Sequence, residues 1–120
     1  MITLDELLEP ITGDRIDLLK IDVEGYEKFV LEGAKKTLGK TTVIYIEIWD
    51  KNFAKFGYQS SDIINKLEAA GFTVYRFNDA NQLDRIQAPF VQEKCINVLA
   101  LRDTAAFCKN AGYTLLPVGN

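Results

Sequence analysis

At 120 residues the chain holds one domain, since two halves would each bury too little surface to be stable. Apolar residues at 48% and charged ones at 26% are the balance of a folded protein, and a net charge of −3 gives no general attraction to nucleic acid or anionic lipid. No apolar run nears the roughly 20 residues that span a bilayer, and Met1-Ile2-Thr3-Leu4-Asp5-Glu6 lacks the basic opening of a secretory signal, so the expectation is a cytoplasmic protein with neither nucleic-acid nor membrane partners.

Thr3 and Glu6 have the spacing of a capping box, which predicts a short helix from Leu4 that stops before Pro10. Ile16-Asp17-Leu18-Leu19-Lys20-Ile21 is short, mostly apolar and without alternation, as a strand covered on both faces reads. Asp22-Val23-Glu24-Gly25 is the turn at its carboxyl end. From Tyr26 the period becomes helical: Phe29, Val30, Gly33, Ala34, Thr37 and Leu38 lay one stripe, with Gly39 expected as a left-handed C-cap. Thr42-Val43-Ile44-Tyr45-Ile46-Glu47-Ile48 is the strongest strand, β-branched and aromatic. A polar and aromatic loop over 50–59 follows. A helix capped by Ser60 or Ser61 then buries Ile63, Ile64, Leu67 and Ala70 and ends at Gly71. Thr73-Val74-Tyr75-Arg76-Phe77 alternates as a strand, and 78–93 reads as a long loop. Cys95-Ile96-Asn97-Val98-Leu99-Ala100-Leu101 is the last strand, and 104–110 a short helix. The expected fold is α/β, with about four strands flanked by helices, the first two or three parallel and the final one antiparallel.

The chain has no histidine, which removes the usual zinc ligand, the serine-hydrolase triad and the commonest general base. Acid–base chemistry must then use a carboxylate, a lysine or a tyrosine. Ligands of an open parallel sheet bind beyond the carboxyl ends of its strands. Asp22 and Glu24 follow the first strand and Glu47 ends the second, so these three are the candidate catalytic residues. Gathered at one rim, they would take a proton from a hydroxyl, bind a sugar hydroxyl or hold a hard cation. Asp22 as a helix cap, Glu24-Gly25 as turn chemistry and a structural Lys20–Glu47 ion pair are the plainer alternatives. Lys20, Trp49 and Tyr58 are the candidate substrate-binding residues, although the aromatic loop equally suits packing down onto the sheet. Cys95 reads as a small core residue, and neither it nor Cys108 has metal-ligand spacing. No glycine pair forms a G-x-G turn, so no nucleotide-binding turn is offered and the cofactor-binding residues are not assigned.

Thr3-Leu4-Asp5-Glu6-Leu7-Leu8, Ile16 through Glu27, Val30-Leu31-Glu32-Gly33-Ala34 and Val43-Ile44-Tyr45-Ile46-Glu47-Ile48 together resemble the FkbM methyltransferase family in order and spacing. The Lys20-Ile21-Asp22-Val23-Glu24-Gly25 block followed by Val30-Leu31-Glu32-Gly33-Ala34 is the specific part. The resemblance implies the seven-stranded class I methyltransferase sheet, Rossmann-like, of which residues 1–120 would be the carboxyl-terminal half, from just before the fourth strand through the seventh. It implies S-adenosylmethionine as cofactor and methyl transfer to an oxygen of a sugar or secondary-metabolite hydroxyl, with Asp22, Glu24 and Glu47 beside the reacting centre. The glycine loop and ribose-binding acid of the family have no counterpart here. On this reading 16–21 is an exposed apolar edge, to be covered by a second copy of the chain or by the missing amino-terminal half. The alternatives are a non-catalytic α/β binding or assembly module, and a metal-dependent enzyme built on Asp22, Glu24 and Glu47.

Overall fold

The computed structural model describes residues 2–11 and 13–117. The first helix, α1 (Leu4–Leu8), is capped as expected: the Glu6 N–H donates to Thr3 Oγ1 at 3.1 Å. Strand β1 (Leu19–Ile21) is shorter than the apolar run. Ile16 touches the sheet through an isolated bridge to Thr41, its carbonyl accepting the Thr42 N–H at 2.9 Å, whereas the Asp17 carbonyl turns to the Thr42 hydroxyl and the Asp17 side chain to Arg15.

The single helix expected after Tyr26 is broken into α2 (Glu27–Glu32) and α3 (Lys35–Gly39). Helix α1 causes the break. The Asp5 N–H donates to the Gly33 carbonyl at 3.0 Å, and Gly33 lies so close to Thr3 that an added Cβ would sit 3.0 Å from its Cβ. The Asp5 carboxylate then accepts from the Lys36 N–H (2.9 Å), the Thr37 N–H (2.7 Å) and the Thr37 hydroxyl (2.7 Å), capping α3 from another element. Of the expected stripe Ala34, Thr37 and Leu38 are buried and Val30 and Gly33 half-buried, whereas Phe29 is exposed and Leu31 is buried in its place. Gly39 is the last residue of α3 and is not left-handed. No glycine cap is needed there, because the Arg102 guanidinium donates to the Leu38 and Thr41 carbonyls at 2.6 and 3.0 Å.

Strand β2 (Val43–Ile48) alternates, with Ile44, Ile46 and Ile48 buried on one face and Val43, Tyr45 and Glu47 half-buried on the other. The expected loop contains α4 (Asp50–Ala54). Helix α5 (Ser60–Ala69) is capped by Gln59 in a reciprocal pair with Asp62, not by a serine; the Ser60 hydroxyl instead donates to Asp50 at 2.9 Å. Strand β3 (Thr73–Phe77) leads into β4 (Gln82–Arg85), which the sequence reading placed in a long loop. Strand β5 (Ile96–Leu101), α6 (Thr104–Ala111) and the two-residue β6 (Thr114–Leu115) complete the chain.

Among the described residues the sheet has six strands in the order β1-β2-β5-β3-β4-β6. β1 and β2 pair in parallel, and β5 runs antiparallel between β2 and β3, so β1, β2 and β3 share one direction as expected. β4 is antiparallel to β3, and β6 is parallel to β4. One core lies between the sheet and α2, α3 and α5, around Ile44, Ile46, Ile63 and Leu67. A smaller one on the other face joins Tyr75, Leu83, Leu99 and Leu101 to Phe107 and Tyr113.

Candidate functional site

β1 and β2 end side by side, and their pairing of Ile21 with Ile46 brings Asp22, one residue on, level with Glu47. Asp22 and Glu24 are exposed and Glu47 is half-buried. The antiparallel β5 enters at the same rim, with Ile96 opposite Ile48, and so places Cys95 there. Cys95 is exposed, not a core residue, because it stands one position ahead of the paired strand. Its thiol is pushed up to about 11 by partial desolvation, then by a hydrogen bond to Glu47 and by the charges of Glu47, Asp22 and Glu27. A thiol so raised is protonated at neutral pH and is no nucleophile.

The turn carrying Asp22 and Glu24 has an unusual backbone. Glu24 has φ 49° and Gly25 φ 106°, and a Cβ on Gly25 would lie 2.6 Å from the Phe56 ring. Glu27, unassigned in the sequence reading, is 1% exposed beneath it. Its Oε2 accepts the Val23 N–H and its Oε1 the Gly25 N–H, both at 2.8 Å. The signal that could have found it is its spacing: Glu27, Leu31 and Ala34 stand at i, i+4 and i+7 on the buried stripe. α2 starts after Tyr26 with no side-chain cap bond, so Asp22 does not cap it.

Of the candidate substrate-binding residues, Lys20 is exposed, and its ammonium lies over the Tyr45 ring, 5.8 Å from the centroid. No Lys20–Glu47 ion pair forms among the described residues, because Lys20 stands opposite Tyr45 in the register, two residues short of Glu47. Trp49 is half-buried at the rim, its Nε1 donating to the Glu93 carbonyl at 3.1 Å and Lys51 facing its ring. Tyr58 is buried and stacks on Phe53, with its hydroxyl donating to the Gly25 carbonyl. Burial, offset in part by the Lys28 N–H and reinforced by the Glu27 charge, pushes its pKa up to about 12. Most of the aromatic segment therefore packs down, with Phe53 and Tyr58 in the core and Phe56 against Tyr26 and Phe29.

The pronounced concavities lie elsewhere. A groove of about 470 Å³ runs along Arg15, Thr42 and Arg102 at the opposite end of β2, and an apolar one of about 220 Å³ lies between Leu7 and Phe29. Among the described residues no three histidine, cysteine, aspartate or glutamate side chains come together as a metal site. The register sets Asp22 beside Glu47, and Glu24 lies exposed in the turn beyond.

A scan against protein families matches the methyltransferase FkbM domain over residues 1–74, which runs from α1 into β3. The chain belongs to the FkbM methyltransferase family. Comparison with curated proteins and with solved structures finds no significant match. The family is in general S-adenosylmethionine-dependent. The residues described here do not by themselves fit that cofactor: neither groove above is lined by Asp22, Glu24 or Glu47, and the sequence has no G-x-G turn to approach a nucleotide.

Proposed function

We propose that this chain supplies the acceptor side of an S-adenosylmethionine-dependent O-methyltransferase acting on a sugar or secondary-metabolite hydroxyl. The observation that supports this reading best is the register that sets Asp22 level with Glu47 at the carboxyl ends of two adjacent parallel strands, with Glu24 in the turn that follows, in a member of this family. Carboxylates at that rim accept a hydrogen bond from the acceptor hydroxyl, orient its oxygen and receive its proton. Half-buried Glu47, level with Asp22 across the β1–β2 pair, is the candidate that would receive the proton. Lys20 and Trp49 flank the rim and would meet the body of the acceptor, while Tyr58 supports the turn from behind. The cofactor cradle is placed on polypeptide paired with the free edge of β1, either a preceding segment or a second copy of this chain.

A second reading, a non-catalytic α/β binding or assembly module derived from a methyltransferase, draws support from the two grooves above, which are lined by neither Asp22, Glu24 nor Glu47. Calorimetric titration of S-adenosylmethionine into the 120-residue chain separates the two. Micromolar binding, weakened in a β1-edge variant that no longer associates, supports the enzymatic reading with a site completed across chains. No binding by the chain, alone or joined to an upstream sheet segment, overturns it in favour of the module. Among the described residues no helix is long and apolar enough to cross a membrane, and the net negative charge disfavours nucleic acid as a partner.

A further inference from the structure

Glu27 is a buried acid with no ion-pair partner among the described residues. Both its oxygens are instead given to backbone N–H groups, those of Val23 and Gly25. Burying a carboxylate is costly, and an apolar side chain in step with Leu31 and Ala34 would serve the core at least as well. What an apolar side chain could not do is hold the turn. The two bonds grip the residues on either side of Glu24, whose φ of 49° a non-glycine residue adopts only when its surroundings impose it. The Tyr58 hydroxyl takes the Gly25 carbonyl from the same buried side. With its backbone held from below, the turn leaves the Asp22 and Glu24 side chains in solvent.

We propose that Glu27 is a positioning residue, whose carboxylate, by clamping Val23 and Gly25, fixes the direction in which Asp22 and Glu24 face the acceptor hydroxyl. The acceptor rests on the methyltransferase reading above; the clamp does not. The role needs a side chain with two acceptor oxygens. Glutamine keeps the shape of glutamate but has one acceptor and an NH2 group that meets the second N–H donor against donor.

The test is amide hydrogen exchange and carbon-13 NMR on the intact chain, comparing wild type with Glu27→Gln, Glu27→Ala and Tyr58→Phe. Exchange at one of Val23 and Gly25 should quicken about tenfold in Glu27→Gln, and at both in Glu27→Ala. The Glu24 backbone shifts should leave their left-handed values, and the Asp22 and Glu24 carboxyl resonances should move. Ile46 and Val98 in the core strands should keep their protection. Tyr58→Phe, which removes only the hydroxyl beneath Gly25, should move the Glu24 shifts in the same sense but less, and it carries the test if Glu27 variants do not fold. Equal acceleration at Val23, Gly25, Ile46 and Val98 would reduce Glu27 to a general core residue and overturn the proposal. So would unchanged exchange at Val23 and Gly25 in folded variants. No methyl transfer enters these readouts, so failure of the clamp and failure of the methyltransferase reading are seen separately.

Discussion

At Gly25 the backbone adopts φ 106°, and the Phe56 ring fills the space where a side chain would begin. Both facts oppose any other residue, the first through backbone strain and the second through overlap. Gly25→Ala is expected to destabilise the chain by about 2–3 kcal/mol, seen as a lower urea midpoint with an unchanged slope. Gly57 has φ 79° but open space around the added atom, so Gly57→Ala should cost less, about 1 kcal/mol. Equal losses at the two positions would mean that the Phe56 contact contributes nothing.

At the scale of elements, the Asp5 carboxylate ties the amino-terminal helix to α3, beside the Asp5 N–H bond to Gly33 and the packing of Leu4 on the core. Asp5 is drawn two ways: burial raises its pKa, but the Thr37 hydroxyl, the Lys36 and Thr37 N–H groups and the Lys36 charge outweigh this and hold it below the ordinary value of 3.8. The folded state therefore binds this proton less readily than the unfolded one. Its contribution to stability is complete above the unfolded pKa and is lost as pH falls through the lower folded value. Asp5→Ala should cost about 1 kcal/mol at neutral pH, as removal of a helix cap does, and should flatten the acid limb of the stability profile below about pH 4. A variant that loses stability equally at pH 3 and pH 7 would remove the carboxylate from the account of that limb.

On the scale of the whole molecule the two edges of the sheet differ. β6 is a two-residue strand that closes the side beyond β4. β1 ends the opposite side with its outer backbone groups unpaired among the described residues, beside Leu18 at 60% exposed. An edge of this kind recruits another strand. The chain is expected to self-associate in light scattering at tens of micromolar, and Leu18→Lys to shift it toward monomer without loss of thermal stability. A wild-type chain that stays monomeric at that concentration would leave the edge without this role.

Strands β2 and β5 and the face of α5 were legible in the sequence because dense β-branched runs, or a 3.6-residue stripe, admit few other structures. The candidate carboxylates were legible for a related reason: a strand that must be buried sends whatever follows it to the rim. β4 was hidden, since Gln82-Leu83-Asp84-Arg85 contains one apolar residue and becomes a strand only because β3 offers it an edge. The break at Gly33 was hidden too, because its cause, Asp5, lies 31 and 32 residues from the backbone it caps. The Lys20–Glu47 pair followed from proximity in the pattern and failed on register, which no single strand carries in itself. Thus the sequence by itself determined the class of fold, the family and the placing of Asp22 and Glu47 at adjacent strand ends, all of which follow from local periodicity and short-range spacing. Only the tertiary structure decided that Cys95 joins that rim, that Tyr58 and Phe53 turn inward, and that Glu27 grips the turn from below. Each of those outcomes depends on which distant segment fills the neighbouring space.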